Sequence, residues 1–175
     1  MKHILLPVLL VTAGALNAQL FSEDFDSYNV GDYISVEGAP AWAVWTAGNE
    51  GGEMDAQITD EAALSGSQSV KIFGTLAGGP MDIVLVAGLE GAYEVTFNIL
   101  VPAGNSGWYN FQENQIPGVA WAFECTLNGD GTLNYKVDGV IVATGAYTPG
   151  LWLKVTHYID TDSNLMNVLL DDEFV

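Results

Sequence analysis

The sequence predicts an all-β protein, built as two packed antiparallel sheets in a jelly-roll sandwich. Three observations carry that prediction: short runs alternating apolar and polar residues recur along the chain, turn-forming residues separate them, and helical periodicity is scarce. The clearest run is AYEVTFNILVP, where Tyr93, Val95, Phe97, Ile99 and Val101 share one face and Glu94, Thr96 and Asn98 the other. A period of two suits a strand with one side on a core and one on water. SVKIFG, DIVLVAG, VAWAFECTL, TLNYKV, VIVATG, LWLKVTHYID and LMNVLL read the same way.

The turns between these runs follow from residue chemistry. Asp138-Gly139 accepts the positive φ angles of a tight primed turn, so NYKV and VIVA should form a hairpin. NGDG at Asn128 to Gly131, TDSN at Thr161 to Asn164 and AGGP at Ala77 to Pro80 are further turn signals. The best helical candidate, DEAALSG from Asp60 to Gly66, is short and ends at glycine, which limits it to a turn or two. AWAVW, with Trp42 and Trp45, reads as core, and GNSGWYNFQEN as a loop.

The first 18 residues combine Lys2, an apolar run from Ile4 to Leu16 and Ala18 before Gln19, the layout of a secretory signal peptide cleaved after Ala18. Residues 19–175 then form a single β-sandwich domain, with no linker or repeat and no later apolar run long enough for a bilayer. The expected location is secreted, extracellular or at the cell surface. The chain stops at Phe174-Val175 inside an apparent strand, the end expected of a C-terminally truncated piece of a larger exported protein.

Charge narrows the partners. The 175 residues carry 22 acids against four bases and a formal charge of −18. Without lysine and arginine to neutralise phosphates, nucleic acid and anionic lipid are excluded as partners. Divalent cations and neutral ligands such as a polysaccharide or glycan remain, beside plain solubility in a salty exterior.

Cys125, the one cysteine, permits no internal disulfide. It falls on the face of VAWAFECTL that also carries Trp121, Phe123 and Leu127, as expected of a buried inert thiol. His157 lies on the apolar face Leu151, Leu153, Val155, His157, Ile159, so it reads as a core or rim histidine rather than half of a Cys/His catalytic pair. DTDSN at Asp160 to Asn164 has the opening spacing of an EF-hand loop, but Leu165 occupies the place that needs glycine, which leaves a polar turn.

Two acidic clusters stand near the ends of the mature chain, Glu23, Asp24 and Asp26 in FSEDFDSY and Asp171, Asp172 and Glu173 in LLDDEFV. With cations scarce, a shared calcium ion is their expected partner, a solvated acidic edge being the alternative. EDFDSY, AALSGSQSVKI, LWLKVTHYID and LLDDEFV together resemble landmarks of jelly-roll carbohydrate-binding modules and of concanavalin A-like secreted bacterial domains, a likeness that spans most of the mature chain in layout. A galactose-binding-like sandwich is the related alternative. The resemblance implies a structural calcium held by Glu23 or Asp24, by carbonyls around Ser65 to Gln68, and by Asp171 or Asp172, an all-oxygen set of the kind calcium takes.

Sugar binding needs flat rings beside hydrogen-bonding groups. Trp152 and Tyr158, on the polar face of LWLKVTHYID, are the first candidates, with Glu94, Asn98 and Glu124 from neighbouring strands. Trp108 and Tyr109, next to Phe111, form the second set. The expected function is therefore a secreted, non-catalytic module that binds carbohydrate and is stabilised by calcium. The alternatives are a surface or matrix adhesion domain of a larger protein, or a glycoside hydrolase or polysaccharide lyase. For the last, GEMDAQ resembles the laminarinase-type signature, with Glu53 as nucleophile and Asp55 as helper, but Gln57 stands where the proton donor belongs.

Overall fold

The structure, a computed structural model, describes residues 19–74 and 81–175. The expected signal peptide at 1–18 and the expected turn at AGGP, 77–80, lie outside the described residues. The expected all-β character is present. Among the described residues, one short helix α1 (Ile34–Glu37) accompanies strands β1 (Trp42–Val44), β2 (Gln57–Thr59), β3 (Ser69–Lys71), β4 (Ile83–Leu85), β5 (Ala92–Leu100) and β6 (Gly107–Gln112). The remainder are β7 (Trp121–Leu127), β8 (Thr132–Val137), β9 (Val140–Ala146), β10 (Trp152–Asp160), β11 (Leu165–Leu170) and β12 (Glu173–Phe174).

All pairings are antiparallel. One sheet has the order β12-β11-β10-β5 and another β6-β7-β8-β9, beside the small pairs β1-β4 and β2-β3. The two four-stranded sheets share a core of Phe123, Cys125, Leu127, Leu133 and Tyr135 from one and Leu153, Val155, Val168 and Leu170 from the other. That is the arrangement of a β-sandwich, with inner faces supplying the apolar residues. A second core of Ile34, Ala56, Ile58 and Met81, joined by Phe25, Tyr28 and Trp42, serves the small pairs.

The expected hairpin at Asp138-Gly139 is there, with φ of 50° and 75°, and joins β8 to β9. A second such turn falls at Asp171 and Asp172, whose φ values are 48° and 70°. These residues therefore turn the chain between β11 and β12 instead of extending a final strand, as the sequence suggested. DEAALSG forms bends rather than a helical turn.

GNSGWYNFQEN is not a loop but carries β6, paired with β7 over its whole length. Its alternation sends Tyr109 and Phe111 into the core and Trp108 and Asn110 outward. Trp121 corrects a second expectation. Phe111 pairs with Phe123 and Gln112 with Trp121, so Ala122 is an extra residue in β7. A bulge reverses which side the strand shows before it. Trp121 accordingly stands 45% exposed, although Phe123, Cys125 and Leu127 are buried.

Candidate ligand-binding face

Strand β10 is central in its sheet, with β5 on one side and β11 on the other, and this places four of the proposed ligand residues together. Lys154 faces Asn98, Thr156 faces Thr96 and Tyr158 faces Glu94, while Trp152 faces Leu100 at the strand's start. On the other flank Tyr158 faces Asn167. Directly opposed side chains in an antiparallel pair are about 5 Å apart at Cβ. Half-buried Trp152 and Lys154 and exposed Tyr158 lie on the face opposite buried Leu153, Val155 and His157, while Thr156, between Lys154 and Tyr158, is itself only 3% exposed. Six steps of about 3.3 Å carry the strand from Trp152 to Tyr158, so two aromatic residues bracket a strip roughly 20 Å long.

Hydrogen bonds hold the strip. The Thr96 and Thr156 hydroxyls are 3.0 Å apart, and Thr96 Oγ1 donates to Glu94 Oε1 at 3.1 Å. Lys154 Nζ donates to Asp172 Oδ1 at 2.7 Å, and its backbone N–H to Asp171 Oδ1 at 3.0 Å. Donating to the Asp172 carboxylate holds the ammonium of Lys154 above its usual range. Tyr158 is 44% exposed.

The other candidates lie elsewhere. Glu124 does not join this face: it projects from β7 in the second sheet, opposite Asn110 and Lys136. Trp108 is on that same outer surface, 41% exposed and opposite Thr126. Tyr109 is in the sandwich core, because the strand period turns it inward: its hydroxyl lies 3.1 Å from Tyr135 Oη and 3.1 Å from His157 Nε2. Cys125 is buried as expected, and burial pushes its thiol up to about 11.

The acidic clusters are engaged by protein donors. Glu23 accepts from the Tyr28 hydroxyl at 2.8 Å and from Phe25 N–H at 2.9 Å; Asp24 accepts from Asp26 N–H at 3.1 Å. Asp26, not assigned a role from sequence, reaches the Ser65 to Gln68 turn itself, accepting from Ser67 N–H at 2.9 Å and Gln68 N–H at 3.1 Å. Gly66 permits this approach at φ +62°, since a Cβ there would come 1.7 Å from Asp26 Oδ2. Among the described residues no group of three or more His, Cys, Asp or Glu side chains is arranged to hold a metal ion. In GEMDAQ, Asp55 is fully buried and accepts from Ser35 and Gly51, while Glu53 is exposed. The DTDSN loop closes on Asp160, which accepts from Asp162 N–H at 3.0 Å and Ser163 N–H at 3.2 Å.

The fold and this face define an all-β, antiparallel sandwich-like protein with a partly exposed aromatic and polar strip on one sheet. Comparison with protein-family models, with curated proteins and with solved structures finds no match to this chain.

Proposed function

We propose that this chain is an exported, non-catalytic module of the jelly-roll type that binds an extended carbohydrate along the outer face of β10. One observation carries the reading: Trp152 and Tyr158 stand on one side of one strand, with Lys154, Asn98 and Glu94 between or beside them. The apolar face of a sugar ring stacks on an aromatic side chain while amides and carboxylates take its hydroxyls. A strip of roughly 20 Å suits several linked rings better than one. The signal-peptide layout of residues 1–18 supports export, and the excess of 22 acids over four bases favours neutral over anionic polysaccharides.

The test is a panel of immobilised neutral polysaccharides and oligosaccharides probed with residues 19–175. Trp152→Ala and Tyr158→Ala should each weaken the best binder about tenfold, the effect of losing one well-packed aromatic contact, and together abolish it. Wild-type affinity in the double variant would remove this face from the reading.

Calcium enters the proposal on charge alone, as an ion that offsets the acidic ends. A protein stabilised by an ion bound only in the folded state melts lower with chelator than with calcium at equal ionic strength. The expected result is a rise of several degrees with calcium, absent with magnesium and reduced in Asp172→Asn. Equal melting temperatures in calcium and chelator would remove the ion.

A further inference from the structure

A second concave site lies at one end of the other sheet, where its ladder comes apart. β7 pairs with β8 only from Glu124↔Lys136 onward, whereas Trp121 and Phe123 have partners in β6 and none in β8. The β8-β9 ladder shifts register beside the Glu124–Cys125 step of β7: Tyr135 pairs with Ala143 and Lys136 with Ile141, so Val142 is an extra residue in β9. Bulges increase local twist and re-aim side chains. Between the start of β7 and the Asp138-Gly139 turn this leaves a cleft of about 480 Å³.

Its lining is mixed. Phe123 forms part of the wall, Trp121 is turned outward by the bulge at Ala122, and Glu113, Glu124, Asp138 and Lys136 supply charge. No ion pair under 4 Å joins Lys136 to Glu124 among the described residues, although they face each other across the ladder. On the β8 side the backbone of Trp121 to Phe123 has no ladder partner, so its polar groups meet solvent or a ligand. Three residues are too few for strand addition by a peptide, which relies on a row of main-chain bonds. A ring that stacks on Trp121 and offers polar substituents all round fits better. Three carboxylates against one ammonium call for a positive group on that ring.

We propose that this cleft binds an amine-bearing sugar unit, with the ring on Trp121 and its ammonium on Glu124 and the neighbouring carboxylates Glu113 and Asp138. The site is separate from the β10 face and does not depend on it. The experiment is calorimetric titration of residues 19–175 with a glucosamine hexamer, an N-acetylglucosamine hexamer, a glucose hexamer and an oligolysine, at about 0.15 M salt to screen diffuse attraction. The glucosamine hexamer should bind best. Its affinity should fall at least about tenfold in Glu124→Gln, as expected for loss of a charge-assisted hydrogen bond, and disappear in Trp121→Ala. Trp152→Ala should leave it unchanged, which separates this site from the β10 face. Binding that survives Trp121→Ala would mean attraction to the acidic surface at large and overturn the proposal. So would equal affinity for the neutral hexamers in Trp152→Ala, where the β10 face no longer contributes, or tighter Trp121-dependent binding of oligolysine. Glu124→Gln keeps the size and shape of a half-buried side chain, so its result stands even if Trp121→Ala perturbs folding.

Discussion

Acidifying the protein from neutral pH to about 4.5 is expected to remove roughly 2–3 kcal/mol of folding free energy through His157 alone, and His157→Phe is expected to abolish that loss. His157 is 0% exposed, and burial lowers its imidazole from 6.5 to about 4. Its surroundings explain the direction. Phe97 from β5 lies 6.2 Å away, Phe111 from β6 at 5.0 Å and Phe123 from β7 at 5.1 Å, ring to ring. The titratable groups facing it are Tyr109 and Tyr135, both held protonated far above neutral pH by burial, with Cys125 beside them. No carboxylate is among these neighbours, so nothing offsets the cost of a buried imidazolium. Nδ1 has no partner even in the neutral ring, while Nε2 meets the Tyr109 hydroxyl.

The unfolded chain takes this proton near pH 6.5 and the folded chain near 4. Stability present above the higher value is therefore lost progressively as pH falls between them, and no further below the lower one. Urea unfolding at closely spaced pH values, wild type against His157→Phe, isolates the term, because the carboxylates titrate in both proteins and cancel in the difference. Phenylalanine fits an aromatic cage, and Tyr109 keeps the Tyr135 hydroxyl as its partner. Parallel pH curves for the two proteins would show that the imidazole is not buried in neutral form.

How much of this was legible in the sequence depends on whether the cause was local. Period-two alternation and turn residues are local, so β5, β10, β11 and the Asp138-Gly139 hairpin could be read directly. The inward face of β10 and the outward placing of Glu94 and Asn98 on β5 follow from the same rule, whereas the pairing of β5 with β10 that brings them beside Trp152 and Tyr158 does not. β6 carried the alternation too, but Asn, Gln and Gly among its residues suggest a loop, and packing of Tyr109 and Phe111 overrides that preference. Bulges leave no clear local mark: the extra Ala122 looks like one more strand residue, yet it reverses Trp121 and opens the cleft beside it. Glu124 was placed on the wrong sheet because alternation tells inside from outside but not which sheet a strand joins. α1 was invisible for a related reason. Tyr33, at its N-cap, makes no side-chain cap, and the acceptor for its Ser35 N–H comes from Asp55, twenty residues later in the chain.

That distant carboxylate should be among the costliest to remove: Asp55→Ala is expected to destabilise the protein by about 3 kcal/mol. Asp55 is 0% exposed and accepts from the Ser35 hydroxyl at 2.6 Å, Ser35 N–H at 3.3 Å and Gly51 N–H at 2.9 Å. Alanine would leave these donors facing a void, two of them buried on Ser35, and a buried unpaired donor costs more than the bond it once made contributes. Asp55→Asn should recover little, because its amide N–H group would point toward N–H donors where an oxygen is needed. Denaturant midpoints of Asp55→Ala, Ser35→Ala and the double variant test the assignment. If the carboxylate serves the start of α1, the two changes are strongly non-additive, since removing either partner already breaks the contact. A change under about 0.5 kcal/mol in Asp55→Ala would show that the helix start is held by its packing on Ile58 and Ala56 instead. The same series separates this role from catalysis by the GEMDAQ segment: a carboxylate kept for chemistry is typically a strained one, whose loss removes turnover while leaving stability equal or higher. Asp55 is satisfied on every side by protein donors, so the opposite pattern, a large loss of stability, is the expected one.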